Sequence, residues 1–161
     1  MPASILLDIR PLAAAEYNSI EAFLLKLDPQ SRRERFFGPA SDASIAQHVR
    51  TAFSGSSVFF GAFVNGRLRG IAELHSYRAD VVEAAFAVEP SFRNRGIGTK
   101  LLQSVLEAAT TRGFRSVRIA CLPANAPMRR LAWKCCARLH ASFDYLTGEI
   151  ACPPVRLEVC S

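Results

Sequence analysis

The chain has 161 residues, of which 50% are hydrophobic and 21% are charged, the balance of a soluble globular protein rather than a disordered or fibrous one. This length suits one domain spanning residues 1–161, large enough to bury about 70% of the surface that its unfolded chain exposes. No apolar stretch approaches the roughly 20 residues of a membrane helix, and the net charge of +6 comes from scattered arginines without the aromatic-basic alternation of a nucleic-acid platform.

The first third of the chain predicts a strand and two helices. A short apolar run at residues 5–9 is typical of a strand. Apolar residues at helical spacing predict helices at 13–27 and 41–53, and Asp28-Pro29 is interpreted as the end of the first one. Between the helices, residues 31–38 are arginine-rich with two phenylalanine anchors, and we assign no element there.

The centre of the chain predicts a β-hairpin. Two strand-like runs, residues 58–64 and 68–76, are separated by Asn65-Gly66, the strongest short hairpin signal. The later elements are, in chain order, a strand at 81–88, a helix at 99–112, a strand at 117–122, a helix at 126–139, and two strands within 141–159 around Thr147-Gly148.

This order of elements excludes a regular alternation of strands and helices. The sequence therefore predicts an α+β fold, in which a mixed, mostly antiparallel central sheet carries helices on both faces.

Location and cofactors are also limited by the sequence. The amino-terminal segment lacks a basic stretch followed by a long apolar core, so we expect no secretory signal and a cytoplasmic location. The five cysteines include no CxxC pair with matching histidines, and we therefore expect no metal site. Nothing in the sequence decides whether the chain forms a homodimer, which stays open.

The most informative segment is the loop between the strand at 81–88 and the following helix. Gly96 and Gly98 would let the main chain approach a ligand closely, and the free N–H groups at a helix start attract anions. Arg93 and Arg95 add positive charge beside them. These features are typical of a pyrophosphate site, although an ordinary tight turn would also explain the glycines.

Two other phosphate-binding motifs do not fit this loop. A dinucleotide fingerprint would require glycine where the chain has Leu101, and it should follow the first strand of a βαβ unit. A Walker A loop would require a G-K-[ST] sequence after a four-residue gap, which is missing.

Two motifs in register resemble those of the GNAT N-acetyltransferases. Arg93-x-x-Gly96-x-Gly98 resembles the family's acetyl-CoA-binding signature [QR]-x-x-G-x-[GA]. Asn125-x-x-Met128-x-x-Leu131-x-x-Lys134 resembles its N-x-x-[AM]-x-x-L-x-x-K helix, at the expected distance downstream. The resemblance implies a GNAT-like acyl-CoA fold, acetyl-CoA as cosubstrate, and transfer of acetyl to a primary amine, either a protein lysine or a small molecule.

A second resemblance concerns the arginine-rich segment. Residues 27–37 are similar to the L-S-P-E-S-R-x-x-R-F-F segment of the Pat-like protein acetyltransferases. This similarity favours a protein lysine as acceptor, but acceptor loops diverge freely on a shared fold.

The GNAT resemblance also implies which residues hold the cofactor. In the family, the end of the strand before the motif is bulged and splayed from its neighbour, and its backbone pairs with the pantetheine arm. Here the Val88 N–H would polarise the thioester carbonyl, and Asn125 would bind pantetheine, cap a helix, or do both. The implied cofactor-binding residues are Phe86, Ala87, Val88, Arg93, Asn94, Arg95, Gly96, Ile97, Gly98, Thr99 and Asn125.

The expected chemistry needs a proton acceptor. A lysine-type amine has a pKa near 10.4, so only about one molecule in a thousand is neutral at pH 7. Glu83, ten residues before Arg93, is the expected general base; the alternative is a solvent-facing or ion-paired strand glutamate. By strand alternation, Glu73, His75 and Tyr77 share one face, where they would contact an acceptor or simply face solvent.

The general acid is not assigned by the sequence. Many GNAT enzymes place a tyrosine where this chain has Ala132, and Tyr145, Cys136, His140 or water could protonate the leaving thiolate instead. Because this tyrosine is missing, a non-catalytic acyl-CoA-binding or sensor module stays an alternative to an enzyme.

Overall fold

A computed structural model describes residues 5–152, which form a seven-stranded sheet with strand order β1-β2-β3-β4-β5-β7-β6. The strands are β1 (Leu7–Leu12), β2 (Val58–Val64), β3 (Arg67–Arg78), β4 (Val81–Val88), β5 (Ser116–Cys121), β6 (His140–Ser142) and β7 (Tyr145–Ala151). The α-helices are α1 (Tyr17–Leu25), α2 (Pro29–Phe36), α3 (Asp42–Ser54), α4 (Ile97–Thr111) and α5 (Ala126–Lys134).

The sheet is mixed and mostly antiparallel, as predicted. Only β4 and β5 run parallel; each other neighbouring pair in the described chain is antiparallel. Helices α1 and α3 bury their apolar faces on one side of the sheet, and α4 and α5 pack on the other. The hydrophobic effect thus places one core on each face and leaves the sheet between them.

The central feature of the sheet is a split between β4 and β5. The two strands pair only from Val81–Ala84 to Ser116–Ile119. Beyond that point β4 stays paired with β3 up to Val88, while β5 stays paired with β7 through Cys121. The last residues of β4 and β5 therefore face each other without a mutual ladder, and their backbone groups are available to a ligand.

The bulge that the resemblance implied near this end of β4 is not present in the β3–β4 ladder. The β3–β4 register is regular from Gly70 opposite Val88 to Ser76 opposite Val82, and the shift occurs at the far end, between Ser76 and Arg78. The strands separate because each keeps its outer partner, so no extra residue is required in β4.

Helix α2 is an element that the sequence analysis did not assign. The Asp28 carboxylate accepts a hydrogen bond from the Ser31 N–H at 2.8 Å, and Pro29 occupies the first helical position. Both features favour a helix start. Asp28-Pro29 therefore begins α2 as well as following α1. The helix is polar and only Ser31 is buried, so it carries no apolar stripe to recognise.

Several boundaries also differ from the predictions. The first strand starts at Leu7, a 3-10 turn precedes α1, and α5 ends at Lys134. Thr147-Gly148 lies inside β7, where a Cβ at Gly148 would come within 2.7 Å of the Arg138 carbonyl oxygen. The hairpin turn falls before Tyr145, and residues 153–159 of the predicted tail strands lie outside the described residues.

Candidate active site

The split in the sheet opens into a cleft of about 300 Å³ between the end of β4, the start of α4 and one face of α5. Of the eleven residues predicted to bind the cofactor, all except Arg95 line this cleft. A strand end, a helix start and a helix face thus meet at one opening. The fold brings together residues that are up to 39 positions apart in the sequence, from Phe86 to Asn125.

The turn that leads into α4 brings backbone N–H groups to the cleft. Asn94 and Gly96 both have left-handed backbone angles, with φ of 60° and 79°. The first N–H groups of α4, from Ile97 to Thr99, have no intrahelical acceptor and lie at the positive end of the helix dipole. Such a helix start suits an anion.

The two glycines of this turn have different physical roles. A Cβ on Gly96 would meet no atom within 4 Å, so the residue is required for its positive φ and not for space. A Cβ on Gly98 would lie 3.8 Å from Leu131, an ordinary contact. The backbone therefore needs glycine at the first position, while the second would accept alanine.

The side chains of Arg93 and Arg95 do not supply the positive charge expected at the mouth. Arg93 lines the cleft, but its guanidinium is paired with Glu34 and also contacts Ser31 and the Val88 carbonyl. Arg95 stacks over Phe92, with its guanidinium carbon 5.0 Å from the ring centroid. Two further cations of α5 also line the cleft: Arg130, and the motif residue Lys134, neither of which was predicted to bind the cofactor.

Helix α5 presents one motif-bearing face to the cleft. Asn125 is buried and caps the helix, with its Oδ1 accepting a hydrogen bond from the Met128 N–H at 3.2 Å. Met128, Leu131 and Lys134 follow at three-residue spacing and also line the cleft. Because residues three apart share a helix face, this periodicity could have identified them from the sequence.

Glu83 lies next to the split but does not line the cleft. It is in the last paired segment of β4, on the sheet face covered by α1 and α3. Its carboxylate forms an ion pair with Arg118 and lies 3.3 Å from the Nε2 atom of His75. Burial lowers the pKa of His75, against the opposing charge of Glu73. The surroundings of Glu83 are therefore those of an ion-paired strand glutamate, the alternative to a general base that the sequence left open.

Glu34 is the acidic side chain that sequence reasoning missed. It extends from α2, is the one carboxylate among the described residues lining the cleft, and is 15% exposed. Its Oε2 atom lies 3.2 Å from an Arg93 guanidinium nitrogen. No sequence signal pointed to it, since α2 was not assigned.

The prediction of a solvated strand face is wrong for Glu73. The residue is 2% exposed, and its Oε2 atom lies 2.5 Å from Arg35 and 2.7 Å from the His48 Nε2 atom. Burial alone would raise the pKa of Glu73, but the His48 hydrogen bond and the Arg35 charge hold it below its ordinary value. Tyr77 on the same face is half exposed and lies beneath the Arg118 guanidinium.

The candidates for a general acid are not among the described residues that line the cleft. Ala132 is buried in the core, and none of the described cleft-lining residues is Tyr145, Cys136 or His140. Tyr145 stacks on Phe37 with ring centroids 5.7 Å apart. This contact connects the end of α2 to β7, on opposite sides of the split.

Residues 5–152 contain neither a cluster of metal-binding side chains nor a membrane-spanning helix. Within this range, no three side chains of histidine, cysteine, aspartate or glutamate are grouped to hold a metal ion. The helices in the same range are all too short or too polar to cross a membrane.

Comparisons with known proteins agree with this geometry. The sequence profile of the acetyltransferase (GNAT) family matches residues 22–136. Acetyltransferase PA5475 of Pseudomonas aeruginosa is 28% identical over 137 residues, which cover 80% of this chain and 72% of that protein.

Solved structures share the fold. The GNAT domain of Streptomyces lividans PAT superposes with a TM-score of 0.77 at 21% identity, covering 94% of this chain and 99% of that one. The PaiA N-acetyltransferase of Thermoplasma acidophilum, solved in complex with coenzyme A, gives a TM-score of 0.70 at 17% identity, covering 91% and 99%.

Proposed function

Because the chain belongs to the acetyltransferase (GNAT) family, we propose that it transfers the acetyl group of acetyl-CoA to a primary amine by direct attack of the amine on the thioester. The observation that carries this proposal is the split between β4 and β5 beside the start of α4. A cleft with main-chain donors at one end and an unpaired strand edge along one wall suits a diphosphate joined to an amide-containing arm.

The diphosphate would bind the N–H groups at the start of α4, from Gly96 to Thr99. The pantetheine arm would then lie along the end of β4, past Phe86 and Ala87. Since the Asn125 cap uses only the amide oxygen, the amide nitrogen can donate to a pantetheine carbonyl. Arg130 and Lys134 line the same cleft and would offset the negative charge of the cofactor.

The Val88 N–H is the proposed donor to the thioester carbonyl. The next amide, of Glu89, donates to the Arg69 carbonyl on the β3 side at 2.9 Å. Successive N–H groups of a strand point to opposite edges, so the Val88 N–H points to the edge facing the split. There it would stabilise the oxygen that gains negative charge during attack.

Glu83 is the proposed general base, acting through water because its carboxylate lies beside the cleft rather than in it. The amine nitrogen bonds to the acetyl carbon, the carbon–sulfur bond breaks, CoA leaves as the thiolate, and the amine proton passes through water to Glu83. A thiolate with a pKa near 8.5 leaves without strong assistance, so a buried Ala132 at the usual tyrosine position is compatible with turnover.

For the acceptor, we favour a protein lysine over a small amine. The Pat-like segment at residues 27–37 supports this choice. It forms α2, whose Glu34 lines the cleft, and we call this the acceptor side of the cleft. Phe37 at the end of α2 is an exposed aromatic, and so is Phe143 in the β6–β7 turn, at 43% and 96%; both would contact a protein surface.

Amine-dependent release of the CoA thiol tests the function. Acetyl-CoA is supplied with lysine peptides and, separately, with small amines, and free thiol is measured over time. Release that rises with amine concentration supports an N-acetyltransferase, and a preference for peptides supports the protein acceptor.

The second candidate is a sensor that binds acyl-CoA without transferring it. The observation in its favour is Ala132, which places no proton donor where the family often has one. Calorimetric binding of acetyl-CoA combined with no release for any amine would favour the sensor.

A further inference from the structure

The guanidinium of Arg93 joins three parts of the molecule. Its Nε donates to the Val88 carbonyl at 3.2 Å, and its Nη2 donates to the Ser31 hydroxyl at 3.1 Å and lies 3.2 Å from the Glu34 carboxylate. Ser31 is 62 positions away in the sequence. The side chains of Arg93 and Glu34 are 25% and 15% exposed, so this pairing is partly shielded from water.

These contacts join the cofactor-binding turn to α2 and to the end of β4, and Arg93, Glu34 and Val88 all line the cleft. A planar guanidinium presents its donors in a fixed fork, and here both Nε and Nη2 are engaged outside the phosphate-binding turn. The Ser31 hydroxyl also donates to the Asp28 carboxylate at 2.8 Å. Arg93 is therefore linked through Ser31 to the residue that caps α2.

Helix α2 depends on such contacts for its position. It has eight residues and a polar surface, and its buried groups are Ser31 and the Arg35 side chain. An isolated helix of this length is unstable in water. Its carboxyl-terminal half is held by the buried pair of Arg35 with Glu73. Its amino-terminal half is held by Arg32, which donates to three backbone carbonyls outside the helix, and by Arg93, which belongs to the cofactor-binding turn.

We propose that Arg93 is a positioning residue that fixes α2, and with it Glu34, against the end of β4 that carries Val88. This contact keeps the acceptor side of the cleft at a fixed position relative to the thioester. Glu34 then presents its carboxylate to the incoming ammonium group of the acceptor. This inference rests on the proposed transfer of acetyl to an amine, and it gives the first arginine of the motif a role other than binding the diphosphate.

Four variants separate this role from cofactor binding. Arg93→Gln removes the charge and the fork, Arg93→Lys keeps the charge, Glu34→Gln removes the partner, and Arg33→Gln is the control, an exposed arginine on the same helix. For each variant, the acceptor kcat/KM is measured by thiol release, and the acetyl-CoA Kd is measured by calorimetry.

We expect Arg93→Gln and Glu34→Gln each to lower the acceptor kcat/KM by about tenfold or more, with the acetyl-CoA Kd unchanged within about threefold. The double variant should be little worse than either single one, because the two residues act through one contact. Arg93→Lys should recover part of the loss, and Arg33→Gln should match the wild type. A tenfold rise in the acetyl-CoA Kd for Arg93→Gln, with the acceptor KM unchanged, would overturn the proposal.

Hydrogen exchange provides a readout that does not need turnover. Amides of residues 29–36 should exchange faster in Arg93→Gln than in the wild type, while those of α3 stay protected. Unchanged exchange in α2 would contradict the positioning role. If the wild type transfers acetyl to no amine, the proposed function fails, and the exchange result still decides whether Arg93 positions α2.

Discussion

The two sides of the cleft are fixed in position by different kinds of interaction. On the proposed cofactor side, the main-chain amides at the cleft are fixed by a helix start and by a strand that keeps its outer partner. On the proposed acceptor side, a short polar helix is held by charged side chains: Arg93 pairs with Glu34, Arg35 pairs with Glu73, and Arg32 donates to three backbone carbonyls. Main-chain geometry tolerates many side-chain changes, whereas a helix positioned by ion pairs is sensitive to the loss of a single charge.

The largest expected effect comes from the buried pair on the acceptor side. Glu73→Gln leaves the Arg35 guanidinium buried without its carboxylate, and breaking such a pair costs about 3–5 kcal/mol of unfolding free energy. Urea unfolding measures this change. Replacing both partners, as Arg35→Met with Glu73→Leu, should recover much of the loss, because no uncompensated charge remains. A double variant as unstable as the single one would show that the ion pair does not explain the effect.

The next effect concerns Glu83, the proposed general base beside the split. Glu83→Gln should lower turnover by about tenfold or more and make the remaining rate depend more steeply on alkaline pH, since the amine must then lose its proton to solvent. Thiol release at saturating acetyl-CoA from about pH 7 to pH 10 measures both changes. Glu107→Gln, an exposed change on α4, is the control. Unchanged turnover would remove Glu83 from the mechanism.

A backbone change should affect only the cofactor side. Gly96→Ala forces a side chain onto a left-handed residue, at a cost of about 1–2 kcal/mol, and should raise the acetyl-CoA Kd by about tenfold. Gly66→Ala is the matched control because Gly66 has a similar φ of 81° in the distant hairpin turn. It should lower stability without changing the Kd. Equal Kd values for the two variants would contradict main-chain binding of the diphosphate.

The smallest effect is the acid sensitivity of Glu73. Because its folded pKa lies below its ordinary value of 4.5, its ionisation stabilises the fold fully above that pH. The contribution disappears as the pH falls through the folded pKa. The difference in unfolding free energy between the wild type and Glu73→Gln should therefore shrink as urea unfolding is repeated from about pH 6 to pH 3. A constant difference would mean that Glu73 does not titrate in this way.

The same contrast explains what the sequence could predict. The turn at Gly96 and the α5 face from Asn125 to Lys134 are local patterns, so their positions at the cleft were predictable. Helix α2 has no apolar period, and its partners are far away in the sequence. Glu73 is 38 positions from Arg35, and Arg93 is 62 positions from Ser31. Long-range ion pairs of this kind leave no signal in a single sequence, so Glu34 was missed and Glu73 was misplaced.

Hydrogen exchange with and without acetyl-CoA tests the central claim most directly, because that claim concerns particular main-chain amides. The account predicts that acetyl-CoA protects the amides of Val88 and of residues 96–99, and leaves the hairpin of β2 and β3 unchanged. Binding of acetyl-CoA without protection at these amides, or protection centred elsewhere in the chain, would contradict it.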